Sequence, residues 1–318
     1  MGVKSSSLTT SIGRLKLKNP IMVASGTFGY GEEFKDLVAL KDIGAIVTKS
    51  ITVKPYTGNR PPRIWETTSG MLNSIGLQNE GIDDFIANKL PYLEKIGTAI
   101  VVSIAGKRKS EYRELAKRLD KTSVDAIEVN ISCPNIEHGC SLKGRIAGSC
   151  LPRLFAQDAK STAEIIRMVK SQTKKTVIAK LSPNVTDIVE IAKAAKRAGS
   201  DALSLINTIL GMEVDIHRQA PRLGNITGGL SGPAIKPIAL HMVWDVYKSV
   251  KLPIIGIGGI MNAEDVLEFF LCGASAVQIG TANFLNPKTT TDIIEELPRY
   301  LKQKNLKNIK ELTGRLQT

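Results

Sequence analysis

The chain has 318 residues, 42% of them hydrophobic and 23% charged, which is ordinary for a globular protein. No run approaches 18 consecutive apolar residues, so no transmembrane helix is expected, and residues 1–10 lack the apolar stretch of a secretory signal. Lys and Arg number 43 against 30 Asp and Glu, a net charge of +13, and the four cysteines follow no repeated spacing, as expected for reduced thiols in a cytoplasmic protein.

The positive charge is uneven. Residues 143–197 hold twelve Lys or Arg against four Asp or Glu. Many fall at helical spacing (Lys160, Arg167, Lys170, Lys174), which reads as a solvated helix face; a surface for RNA or for an acidic partner is the alternative.

In chain order, short runs rich in Val and Ile alternate with longer amphipathic ones. Strands are predicted at 20–24, 45–48, 98–104, 126–130, 176–180, 202–206, 253–256 and 276–279. They are near-continuously apolar, as strands buried on both faces are. Helices are predicted between and after them at 33–40, 83–96, 111–121, 158–173, 186–198, 233–250, 263–271 and 290–302. Thr186 and Asn262 are candidate N-caps, and Gly97, Gly199 and Gly273 fit the left-handed position after a helix.

Strict alternation of eight strands and eight helices points to an α/β fold of the (β/α)8, or TIM-barrel, type, with residues 1–318 as a single domain. A doubly wound sheet is the main rival. Its dinucleotide fingerprint is only superficially matched by Gly256-Ile257-Gly258-Gly259, which sits at the seventh strand without the full spacing. Long insertions at 50–80, 134–157 and 208–231 all follow strands. In a barrel those loops gather at the C-terminal face, where active sites are built.

The strand ends carry the chemistry. Cys133 stands between Asn130 and Asn135, just past the fourth strand, and Pro134 stops that strand. A thiol has a reference pKa of about 8.5 and serves as a base near neutrality, and carboxamides on either side can hold a flat polar ring. A buried structural cysteine is the bland alternative. Other strands end in Ser25, in Lys49-Ser50, in Lys180 and in Asn207-Thr208. The last two end in Gly258-Gly259 and Gly280-Thr281, where backbone N–H groups can approach a phosphate. A phosphate pocket with two inward lysines suggests a phosphorylated cofactor with an electron-rich ring, such as a flavin whose reduced form a lysine stabilises. Cys133, His138, Cys140 and Cys150 lack a paired Cys-x-x-Cys, so no metal is expected.

Five stretches, occurring in order, carry a resemblance over most of the chain. They are Asn73-Ser74-Ile75-Gly76-Leu77-Gln78-Asn79, residues 130–135, Lys180-Leu181-Ser182-Pro183-Asn184, Asn207-Thr208-Ile209-Leu210-Gly211 and Gly228-Gly229-Leu230-Ser231-Gly232-Pro233. The chain resembles class 1 dihydroorotate dehydrogenases. Cysteine as the base looks like class 1, since the membrane-associated class 2 enzymes use serine and carry an N-terminal extension. The Ile-Gly-Leu-Gln-Asn wording resembles the B-type, NAD-linked catalytic subunit; the fumarate-using A-type usually reads Met-Gly-Leu-Pro-Asn.

The resemblance implies oxidation of dihydroorotate to orotate in pyrimidine (UMP) biosynthesis. Cys133 takes a proton from C5 as hydride leaves C6 for FMN. Substrate is held by Lys49, Asn73, Ser74, Ile75, Gly76, Leu77, Asn130, Asn135, Asn207 and Thr208. Flavin is held by Ser25, Lys49, Ser50, Ser103, Asn130, Lys180, Ile206, Gly232, Gly258, Gly259, Gly280 and Thr281. It also implies a homodimer joined to an electron-transfer subunit carrying FAD and a two-iron two-sulfur cluster, as a heterotetramer, with neither nucleic acid nor membrane as partner. Two departures stand out: Ser103 replaces the family's usual Asn, and the loop at 136–158 is longer than the usual Gly-rich lid. Other readings are a dihydropyrimidine (uracil-type) dehydrogenase, a tRNA dihydrouridine synthase and a barrel that holds FMN without turnover.

Overall fold

The computed structural model describes residues 5–132 and 154–317. A hairpin comes first, β1 (Thr10–Ile12) paired antiparallel with β2 (Leu15–Leu17). The strands β3 (Ile21–Val23) and β4 (Ala45–Val47) follow, then an insertion ribbon of β5 (Ile64–Thr67) and β6 (Gly70–Asn73). Next come β7 (Ala99–Ile104), β8 (Ala126–Asn130), β9 (Thr176–Lys180) and β10 (Ala202–Leu205). A second insertion holds β11 (Ile209–Met212), β12 (Val214–Asp215), β13 (Ala220–Pro221) and β14 (Thr227–Ser231), before β15 (Ile254–Ile257) and β16 (Ala276–Ile279). Eight of these strands close in the order β3-β4-β7-β8-β9-β10-β15-β16, all pairs parallel. The expected (β/α)8 barrel is therefore present, and every expected barrel strand overlaps an observed one.

Helices pack outside the strands: α1 (Gly81–Asp84), α2 (Leu90–Ile96), α3 (Lys109–Leu119), α4 (Ala159–Lys170), α5 (Ile188–Arg197), α6 (Lys236–Ser249), α7 (Ala263–Leu271), α8 (Ala282–Leu285) and α9 (Thr289–Gln303). Asn262 caps α7 as expected, accepting from Asp265 N. The cap of α5 is Asp187 rather than Thr186; its carboxylate accepts from the N–H groups of Val189 and Glu190, which a threonine one residue earlier does not do. Gly97, Gly199 and Gly273 all have positive φ at helix ends. In the helix expected at 83–96, Phe85–Lys89 is a π-turn ahead of Pro91, with Leu90 N donating to Phe85 O. A proline has no N–H to give the ladder, and the wider turn absorbs the misfit.

One expected helix does not form. Residues 33–40 make two 3-10 turns, Glu32–Phe34 and Leu40–Asp42, instead of an α-helix. Eight residues return few intrahelical bonds against a costly nucleus. Stacking of Phe34 on Phe28, with ring centroids 4.0 Å apart, fixes the segment by tertiary contact instead.

Inside the barrel, side chains alternate by strand period. Met22, Ala45, Val47, Val101, Ala126, Ile178, Ala202, Ile255, Ile257 and Ala276 form one apolar cluster, closed by Ile12, Leu15 and Leu17 of the first hairpin. Two residues further along their strands the inward positions turn polar: Ser103, Glu128, Lys180, Ser204 and Gln278, all buried. That change marks the floor of the C-terminal mouth. Above it the two insertions combine into one antiparallel sheet, ordered β11-β14-β6-β5. Long-range pairing between segments some 150 residues apart has no local sequence signal, so this sheet was not expected.

Of the basic residues at helical spacing, Lys160 and Arg167 are exposed on α4 and the half-buried Lys170 at its end pairs with Asp201, whereas Lys174 is exposed beyond the helix.

Candidate active site at the barrel mouth

The floor is built by neighbouring strand ends. Lys180 on β9 lies in register with Asn130 on β8 and Ser204 on β10. Its Nζ is 3.4 Å from Glu128 Oε1, and both side chains are almost fully buried. Glu128 Oε2 accepts from Ser204 Oγ at 3.0 Å and from Gln278 Nε2 at 2.7 Å. An isolated charge in a barrel interior is very costly, so these donors and the lysine are what make Glu128 tenable. Beside them Ser50 and Ser103 exchange a hydroxyl hydrogen bond of 2.8 Å, and Asn130 Nδ2 donates to Ser50 Oγ at 3.1 Å. The short Ser103 thus forms part of the same network. Lys49, two residues past Val47, is half-buried.

Carboxamides stand above this floor. Asn207 Nδ2 donates to Ser132 Oγ at 2.9 Å and lies 3.5 Å from Asn130 Oδ1. Asn130 is anchored through its backbone, where its carbonyl accepts from the Tyr112 hydroxyl at 2.8 Å. The Thr208 N–H donates to Asn207 Oδ1, and Asn184 Nδ2 donates to Thr208 O. Asn73 arrives from the insertion sheet, its Nδ2 donating to Gly229 O at 3.2 Å. Gly229 is needed there, because a Cβ on it would lie 2.0 Å from Thr208 Oγ1. Ser74 is buried with its Oγ lacking a hydrogen-bond partner. Gly76 and Leu77 continue that segment with positive φ, and Asn59 N donates to the Ile75 carbonyl.

The glycine loops converge on the opposite side. A Cβ on Gly259 would lie 2.9 Å from Gly232 O, one on Gly232 3.6 Å from Thr281 Cγ2, and one on Gly280 3.5 Å from Ala24 Cβ, next to Ser25. Gly258 and Gly259 both have positive φ, and a Cβ on Gly258 would lie 3.5 Å from Ile206 Cγ1. Thr281 Oγ1 donates to Ser231 Oγ at 2.8 Å, tying the loop after β16 to the end of β14. The sequence-predicted phosphate residues are therefore neighbours in space.

Cys133 and Asn135 lie outside the described residues, as do His138, Cys140 and Cys150. The flanks of that segment meet: Ala156 N donates to Ile131 O at 3.0 Å, beside the carboxamides. Cys272 is a different kind of thiol. It is buried on the outer layer, and burial raises its pKa. A cavity of about 570 Å³ lies at the other end of the barrel, between Lys18, Ala39, Asp42 and Glu295, and contains none of the predicted site residues. Among the described residues no group of three or more His, Cys, Asp or Glu is placed to hold a metal, and no helix is long and apolar enough to cross a membrane.

Reading motifs at strand ends missed Glu128, Ser204 and Gln278, because they sit inside the strands. A charged or amide side chain within a strand buried on both faces was the available signal.

Residues 7–301 match the family model described as dihydroorotate dehydrogenase. The chain is 52% identical over 311 residues to the Geobacter sp. protein named dihydroorotate dehydrogenase B (NAD(+)), catalytic subunit, covering 98% of each chain. It is 52% identical over 316 residues to the protein of that name from Geobacter metallireducens, covering 99% of this chain and 100% of the other. The Desulforamulus reducens protein of that name is 51% identical over 308 residues, 96% of this chain and 97% of the relative. Identity at this level along nearly the whole length leaves one conclusion: the chain belongs to the dihydroorotate dehydrogenase family.

Proposed function

We propose that this chain, as a single barrel domain, oxidises dihydroorotate to orotate with bound FMN and passes the electrons to a partner subunit that reduces NAD. The observation that carries this reading is the set of carboxamides at one mouth: Asn130 in register with the buried Lys180, Asn207 beside Asn130, and Asn73 bonded to Gly229, which packs on Thr208. Each carboxamide offers a donor and an acceptor, the pattern presented by the edges of a dihydropyrimidine ring.

The residues present fit a flavin mononucleotide. Lys180 supplies positive charge at the floor, suited to the pyrimidine edge of the flavin, where negative charge gathers on reduction. Gly232, Gly258, Gly259, Gly280 and Thr281 bring backbone N–H groups to the side where a terminal phosphate fits. When bound, FMN supplies the hydride acceptor. Asn73, Asn130, Asn135, Asn207 and Thr208 orient the substrate ring, with residues 74–77 as the adjoining wall, and Lys49 meets its carboxylate. Cys133, directly after Ser132 in the chain, removes the C5 proton. Orientation by fixed groups is worth several orders of magnitude in rate, which suits a network whose members are themselves hydrogen-bonded.

The partner follows from the words "catalytic subunit" in the relatives' names. An apolar ribbon supports docking of further chains, including a second copy: Leu210, Met212, Val214 and Ile216 are all exposed along the second insertion.

The purified chain is expected to be yellow and to release FMN on denaturation; FAD, or no chromophore, would count against the phosphate site. The test of function is anaerobic addition of dihydroorotate, which should bleach the flavin. NADH should then form rapidly only when the FAD and iron–sulfur subunit is added, with fumarate as a control acceptor. Fast NAD reduction by the chain alone would remove the partner from the reading, and efficient fumarate reduction would indicate an A-type enzyme.

A further inference from the structure

Glu128 is a buried carboxylate that the chemistry above does not use. It lies at the inward position of β8 two residues before Asn130, 0% exposed, and reaches across the floor to three other barrel strands. Two neutral donors, Ser204 Oγ and Gln278 Nε2, both serve Oε2. Oε1 has no hydrogen bond and faces Lys180 Nζ at 3.4 Å. Gln278, fully buried, likewise keeps its Oε1 unpartnered.

A structural ion pair between such strands could be replaced by apolar side chains at little cost, since burying charges is expensive. Here three buried polar side chains, Lys180, Ser204 and Gln278, are turned toward one carboxylate. What distinguishes the pair is its location: its lysine belongs to the floor on which the flavin is proposed to sit.

We propose that Glu128 is a positioning residue that holds Lys180 and offsets its charge, setting how electron-poor a flavin at this mouth becomes. The inference rests on the flavin reading above. With both charges present, Glu128 offsets part of the positive charge that Lys180 brings to the floor and moderates the field at the flavin. Without the carboxylate, Lys180 acts alone in a low-dielectric site, where a single charge is felt strongly. The reduced flavin, which carries negative charge, is then favoured, and the oxidised flavin becomes a better electron acceptor.

Sulfite is the probe, because it binds oxidised flavins more tightly as their surroundings become more positive. In the purified full chain with its flavin, Glu128→Gln should bind sulfite at least tenfold more tightly and show a higher flavin reduction potential. A purely structural role would lower Tm and leave both readouts in place. A folded Glu128→Gln flavoprotein with wild-type sulfite affinity overturns the proposal. Should that variant not fold with flavin, Glu128→Asp replaces it: the carboxylate is withdrawn from Lys180 by one methylene, so sulfite should bind about two- to fourfold more tightly, and wild-type affinity overturns the proposal equally. A wild-type chain that holds no flavin would overturn the cofactor reading itself, and this inference with it, before any variant is compared.

Discussion

Cys133→Ala should retain FMN and bind orotate, yet its flavin should be reduced by dihydroorotate about 10²–10⁴-fold more slowly, the usual contribution of a general base. The expectation rests on the position of the residue in the chain. Cys133 directly follows Ser132 in the chain, and the Ser132 hydroxyl accepts from Asn207, one of the carboxamides proposed to orient the ring. Cys133→Ser should fall between the two, because a hydroxyl without an activating partner is a far weaker base than a thiol. Anaerobic stopped-flow absorbance reads the rate directly. A near-wild-type rate in the alanine variant would remove Cys133 from proton transfer and direct attention to another group at the mouth.

Gly259→Ala should weaken FMN binding by at least tenfold while leaving the barrel folded. The residue has φ +72°, and an added Cβ would approach Lys236 Cβ to 2.7 Å and Gly232 O to 2.9 Å. A side chain in the left-handed region costs roughly 1–2 kcal/mol, and each 1.4 kcal/mol is about a factor of ten in affinity. The clash falls where the two loops proposed to hold the phosphate meet, so the strain should be released there by moving their backbone N–H groups. Gly280→Ala is the informative contrast. Its Cβ would meet Ala24 and Thr27 at ordinary contact distances, with no positive φ. Flavin lost from that variant therefore reports contact with the phosphate itself. Equilibrium titration of the apoprotein with FMN, with circular dichroism as the check on folding, measures both. Wild-type affinity in Gly259→Ala would separate this loop from the cofactor.

The barrel strands were legible from composition because strands buried on both faces are near-continuously apolar, and runs such as Ala126–Asn130 and Thr176–Lys180 end at polar residues where the mouth begins. Strand ends share one face of a parallel barrel, so Lys49, Asn130, Lys180 and Asn207 could be grouped by topology alone. The helix at 33–40 was not decidable in this way. Its pattern is helical, but so short a segment takes its conformation from the Phe28–Phe34 stack.

Relations that depend on distant segments needed the tertiary structure. The four-stranded sheet joins insertions from two different strand ends, and its pairing of Asn73 with Gly229 brings the Asn73 side chain to the Gly229 carbonyl. Neither segment alone specifies that partner. Glu128 is the clearest case. The amino-acid sequence shows a charge within a buried strand, but only closure of the barrel sets Lys180, Ser204 and Gln278 around it, because inward side chains on separate strands meet once the sheet has curled onto itself.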